Sequence, residues 1–226
     1  MLGSTRFHSV RPPEHILWIG AHPDDESLVA PLLGGHPSSL IVMTRGEEGG
    51  DPNVRSAEMQ RAADLFHADL QLWDFADVMN DVDGVWSAEA GGHDALVNRI
   101  AAAIAAENPS VVYTFDPNHG SSCHPAHREI GALVIEALPR LGPAAPRLMF
   151  VETIITYLPN GFAFSPAADD AIAVDARASW HYFVDDVATH ASQFTSAQVE
   201  ALRDISDDQR KVFLASAPSQ KYSCGK

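Results

Sequence analysis

The stretch Ala21-His22-Pro23-Asp24-Asp25-Glu26 packs an imidazole and adjacent carboxylates onto one turn ahead of a helix. By itself an Asp-Asp pair in that position caps the helix by accepting backbone N–H bonds. The imidazole widens the options. A neutral histidine and a carboxylate are the usual nitrogen and oxygen ligands of zinc, and two neighbouring carboxylates on a turn can point one at a metal and one at a water. A second constellation, Cys123-His124-Pro125-Ala126-His127, sets two histidines three apart at a helix opening. Residues i and i+3 share a helix face, so one ring can ligate while the other reaches the same small molecule. Together the two stretches complete a three-ligand site for one divalent ion, suited to hydrolysis.

The surrounding chain must bring residues about 100 positions apart into one crevice. Short apolar runs read as strands at 16–20, 40–44, 70–75, 111–115 and 147–153, and helical patterns fall at 26–33, 54–66, 96–106 and 128–138. Residues 80–92, rich in Asp and Gly, read as a loop, residues 139–146 as a Pro-rich linker, and the remainder is less regular. Strands that are apolar throughout and alternate with helices imply a parallel sheet covered on both faces. The expected fold is α/β, a Rossmann-like three-layer sandwich with a mostly parallel central sheet, in one domain over residues 1–226. Ligands of such sheets collect beyond the carboxyl ends of the strands. His22, Asp24 and Asp25 follow the first strand, Arg45 and Glu47 the second, Asp77 the third, and Asp116, His119, His124 and His127 the fourth.

Composition narrows the function. The apolar fraction of 46% suits a globular core, and the net charge of −15 repels phosphate backbones and anionic lipids, which argues against a nucleic-acid or membrane partner. No run reaches a membrane span of about 18 apolar residues. The segment from Met1 to Pro13 does not read as a secretory signal, so the expected compartment is the cytoplasm. Cys123 and Cys224 are read as reduced thiols, the latter in a fraying tail, and a cysteine nucleophile beside His124 is disfavoured because neighbours on a turn rarely present both groups to one reacting atom.

With its hexapeptide Ala21 to Glu26, the chain resembles the LmbE-like, or PIG-L, family of N-acetylglucosaminyl deacetylases. The likeness extends through Thr44-Arg45-Gly46-Glu47-Glu48-Gly49, Arg55-Ser56-Ala57-Glu58, Asp77, the His124/His127 pair and His190-Ala191-Ser192-Gln193. The resemblance implies zinc, one ion per chain, on His22, Asp25 and His127, with Asp24 as general base and a protonated His124 stabilising the oxyanion. It implies that Arg55 and Asp77 contact sugar hydroxyls. The implied partner is a small N-acetylated amino sugar or its conjugate, released as acetate and free amine; a homo-oligomer is compatible with all of this.

Two departures stand out. The family's histidine pair commonly encloses an Asp that supports the first ring, where this chain has Ala126; Asp116 is the candidate replacement by position. Deacetylases of the mycothiol pathway carry a tyrosine where this chain has Ser122. Glu47 could orient a ligand histidine or sit in a solvated loop, His119 could lie behind the site or face solvent, and His190, Ser192 and Gln193 read as buttresses. A dinucleotide enzyme is disfavoured because the first strand leads into two carboxylates and no Gly-rich cradle. The serious alternative is a related metal-dependent amidase acting on a non-acetyl acyl group or a thiol conjugate; a catalytically silent metal-binding protein is disfavoured by retention of Asp24 and His124.

Overall fold

A computed structural model describes residues 15–158 and 161–219 together with Cys224; the segments at 1–14 and in the tail, on which the leader and fraying expectations rest, lie outside the described residues. In chain order the elements are β1 (Ile16–Gly20), a short helical turn (Asp25–Val29) running into α1 (Ala30–Leu33), β2 (Ser38–Thr44), α2 (Pro52–Phe66), β3 (Asp69–Phe75), α3 (Val82–Ala90), α4 (His93–Glu107), β4 (Val111–Phe115), α5 (Pro125–Ala137), β5 (Arg147–Val151), β6 (Thr153–Leu158), β7 (Gly161–Pro166), β8 (Ile172–Asp175), α6 (Trp180–Thr189), α7 (Ser196–Arg203) and β9 (Lys211–Ala215).

Seven strands form one sheet in the order β3-β2-β1-β4-β5-β9-β8. The first five are parallel, and β9 and β8 add antiparallel. Every residue of β1, β2 and β4 is buried, as expected where helices cover both faces. The three-layer reading of the sequence therefore holds. The chain runs outward from β1 to β2 and β3, then returns to place β4 on the other side of β1, so the crevice of the reversal opens between the carboxyl ends of β1 and β4. That is where both histidine motifs emerge.

Local differences have physical causes. Residues expected as a loop contain α3, because Val82 and Trp86 bury one face and the Trp86 indole donates to Ala76 O at 2.9 Å. The strand expected at 147–153 breaks at Glu152 into β5 and β6, and β6 leaves the sheet to pair antiparallel with β7 as a separate hairpin. The C-terminal third, irregular in sequence, supplies this hairpin, the two antiparallel strands and α6 and α7. Among the described residues no helix is long and apolar enough to cross a membrane.

Cys123 and Cys224 form a disulfide with a Cα–Cα distance of 5.6 Å, which corrects the reading of both as free thiols. Two cysteines 101 residues apart carry no local signal of pairing; only the fold brings Cys224 to the loop after β4. Such bridges persist in oxidising compartments, in tension with the expected cytoplasm.

Candidate active site

After β1 the chain turns so sharply that Asp24 takes a left-handed conformation, φ 94° and ψ −19°, costly for a residue with a side chain. Three bonds hold it there. The Asp24 N–H donates to Glu26 Oε2 at 3.1 Å, and Arg55 Nη2 donates to Pro23 O at 2.5 Å and to Asp24 Oδ2 at 3.1 Å. Arg55 reaches them over Gly46, whose φ of 69° and missing side chain both matter, since a Cβ there would lie 2.5 Å from the guanidinium carbon. Asp25 is fixed by the backbone ahead of it: Oδ2 accepts from the N–H groups of Ala21 at 3.0 Å and His22 at 2.7 Å, and Oδ1 faces His127 Nε2 at 3.0 Å.

The other half hangs from β4 and α5. Pro125 occupies the first turn of α5, and His124 caps it, Nδ1 accepting from the Ala126 N–H at 3.3 Å. Gly131 lets α5 press onto β4, for a Cβ there would meet Phe115 O at 2.2 Å. The close approach stacks the His127 ring on Phe115, centroids 4.0 Å apart and planes within 4°.

Outer bonds fix which nitrogens face inward. His22 Nε2–H donates to Asp77 Oδ1 at 3.0 Å and His127 Nδ1–H to Gly120 O at 2.9 Å. His22 Nδ1 and His127 Nε2 are thus left facing each other at 3.1 Å, with Asp25 Oδ2 3.5 Å from the former. Three donor atoms this close require a proton or a cation between them. Tetrahedral zinc with bonds of about 2.0–2.2 Å has ligand–ligand edges of roughly 3.3 Å, so His22, Asp25 and His127 fit such an ion. His124, His22 and His127 also cluster with candidate ligand atoms within 4.8 Å. With Nδ1 accepting the cap bond, a neutral His124 carries its hydrogen on Nε2 and donates there.

The electrostatics follow. Burial opposes charge on His22, but bonds to Asp25 and Asp77 outweigh it and raise the ring to about 10. Burial would raise Asp25, yet His127 and His22 hold its carboxyl well below the usual range. Burial, reinforced by Asp25 and opposed by Arg55, pushes Asp24 up to about 7. His124 is driven down to about 4 by burial and by the charges of His22 and His127, with only Asp25 and Asp77 opposing. These effects favour the neutral ring over the protonated form that the resemblance implies.

Asp116 does not support His124. Its carboxylate accepts from the Asn118 N–H at 2.6 Å and the Ser219 N–H at 2.5 Å, lying in a buried cluster with His119 and Glu152. His119 Nε2 bonds Glu152 Oε2 at 3.1 Å, so this histidine sits behind the site and braces it. Arg55 and Asp77 are both buried and bond Asp24 and His22 respectively, while Arg55 Nε finds no partner among the described residues. Glu47 is exposed, as the solvated-loop reading had it, and its Oε1 accepts from the Asp77 N–H at 3.0 Å.

His190 ends α6 with Nε2 2.6 Å from Glu26 Oε1; Ser192 bonds Glu58 and Gln193 bonds Gly49 O. That motif clamps the loop after β1 to α2. Sequence reasoning missed Asp186 and Glu152, buried partners of Ser27 and His119 that no spacing marks.

A profile of the GlcNAc-PI de-N-acetylase (PIG-L) family matches residues 17–138. A probable N-acetyl-alpha-D-glucosaminyl L-malate deacetylase 2 of Bacillus cereus is 30% identical over 56% of this chain, and the match spans 62% of that relative's length. The 1D-myo-inositol 2-acetamido-2-deoxy-alpha-D-glucopyranoside deacetylase of Corynebacterium urealyticum is 27% identical over 91% of this chain and 70% of its own. The N,N'-diacetylchitobiose deacetylase of Pyrococcus horikoshii superimposes with a TM-score of 0.64 at 18% identity, covering 90% of this chain and 83% of that one. The fold and the paired histidine motifs place the chain among three-layer α/β proteins with a largely parallel sheet and its polar cluster beyond the carboxyl ends of β1 and β4. The chain belongs to the GlcNAc-PI de-N-acetylase (PIG-L) family.

Proposed function

We propose that the protein is a metal-dependent N-deacetylase, hydrolysing the N-acetyl amide of an amino sugar or amino-sugar conjugate to acetate and free amine. The observation that carries this reading is the convergence of His22 Nδ1, His127 Nε2 and the Asp25 carboxylate within 3.0–3.5 Å of one another, beside Asp24. We assign His22, Asp25 and His127 as ligands of one divalent ion, with zinc the expected metal. When bound, the ion supplies Lewis acidity toward the amide carbonyl and acidifies water toward a pKa of about 7.

This chain's residues do the rest. Asp24, held by Arg55 with its carboxyl near 7, takes a proton from the attacking water at neutral pH. His124 Nε2–H donates to the carbonyl oxygen as it gains negative charge. When the C–N bond breaks, Asp24 returns its proton to the leaving nitrogen. Arg55 and Asp77 act as positioning residues for Asp24 and His22.

Acetate release from a panel of N-acetyl amino sugars and conjugates, with zinc-loaded, chelated and Asp24→Asn protein in parallel, tests this. Release by the loaded wild type alone is the expected result. Equal release in all three overturns the mechanism.

A further inference from the structure

A cavity of about 240 Å³ opens directly from the catalytic groups, with Asp24, Asp25 and His127 at one end. Its far walls are hydrocarbon: Leu28 follows the turn after β1, Ile155 and Phe162 face each other's strands in the β6–β7 hairpin, Phe183 and Val187 come from α6, and Phe194 from the segment before α7. The serine and threonine side chains along it each hold at least one partner, Ser121 Oγ donating to Val151 O at 3.5 Å. Ser27 Oγ donates to Asp186, Thr153 Oγ1 accepts from the Phe213 N–H, and Ser122 Oγ lies 3.3 Å from His127 Nδ1.

An acetyl methyl needs only a small fraction of this space, and a sugar ring would find few unengaged hydrogen-bond partners for its hydroxyls. An apolar cavity of roughly 150 Å³ is enough to bind benzene, so a chain of several carbons or a ring fits here. A small polar amino sugar would leave most of these walls unused, which four separate elements converge to build.

We propose that the substrate carries an apolar chain or ring seated in this cavity while its amide sits at the catalytic end. The inference rests on the deacetylase-type reading above and specifies what that site selects. The apolar group has two possible sources, the acyl group being removed or the aglycone of the amino sugar, and the substrate series separates them.

The experiment measures free-amine release, which registers any acyl group, from two series. One is glucosamine N-acylated with acetyl, butyryl, hexanoyl or octanoyl; the other is N-acetylglucosamine as its methyl, butyl or octyl glycoside. Burying each methylene raises kcat/KM by about fourfold until the cavity fills. A rise along the first series places the acyl chain in the cavity; a rise along the second places the aglycone there, and both support the proposal. The slope flattens in Leu28→Asn and Ile155→Asn, chosen because these two walls are only half-buried and the variants should fold.

Turnover of the acetyl and methyl compounds with no gain from length overturns the proposal and leaves the deacetylase reading intact. Absence of amine from every compound counts against the deacetylase reading, and calorimetric titration with the octyl glycoside then decides the cavity separately. Binding weakened by Leu28→Asn supports an apolar ligand, and no binding overturns it.

Discussion

The two ends of the active-site cavity are built in opposite ways. The catalytic end comes from two short contiguous motifs at the carboxyl ends of β1 and β4, each side chain tied by a bond to backbone or to a buried partner. The apolar end is assembled from Leu28 of the turn after β1 and from single residues of a hairpin, α6 and the segment before α7 in the C-terminal third. Chemistry demands fixed angles and so concentrates in rigid turns. Selectivity for a hydrocarbon group demands only shape and apolar surface, which dispersed side chains supply.

If that division is real, changes at the catalytic end lower turnover of every substrate equally. Asp24→Asn leaves the shape intact but removes the proton acceptor, and kcat should fall by about 10²–10⁴-fold whatever the acyl length. A loss confined to long-chain substrates would merge the two ends. His124→Asn keeps an acceptor for the α5 cap and removes the Nε2 donor, so kcat should fall by about 10²–10³-fold with bound metal unchanged.

Behind the catalytic end, Asp77→Ala should weaken metal binding by about 10–100-fold, measured by competition with a chromophoric chelator. The same titration has a definite sign with pH. His22, raised to about 10, holds its proton through the neutral range, so a metal must displace it; affinity therefore rises with pH by about tenfold per unit for one proton released. A pH-independent affinity would remove His22 from the ligand set.

The smallest effect belongs to the bridge beside His124. Cys224→Ser should cost about 2–4 kcal/mol of stability, read as a lower Tm, with less change in kcat than either catalytic variant.

The same contrast explains what the sequence made legible. Ala21 to Glu26 and His124/His127 could be read because spacing alone sets their relation, and the central parallel strands because their runs are short and mainly apolar. The support expected from Asp116 failed because Asn118 and Ser219, the latter 103 residues away, take both oxygens. Arg55 and Asp77 resembled surface polar groups until packing turned them inward. α3 hid behind its Asp and Gly residues because its helical face rests on little more than Val82 and Trp86. The cavity walls had no signal, since a Phe or Val lining a cleft is indistinguishable in sequence from one filling a core.

The central claim is the ligand set, and counting metal per chain tests it most directly. Wild type, His22→Ala, Asp25→Ala, His127→Ala and His124→Asn would each be stripped, reloaded with zinc, desalted and assayed for bound ion. The account predicts one ion per chain in wild type and His124→Asn and its loss in the other three. Loss in His124→Asn with retention in Asp25→Ala would contradict it and place the ion among three histidines.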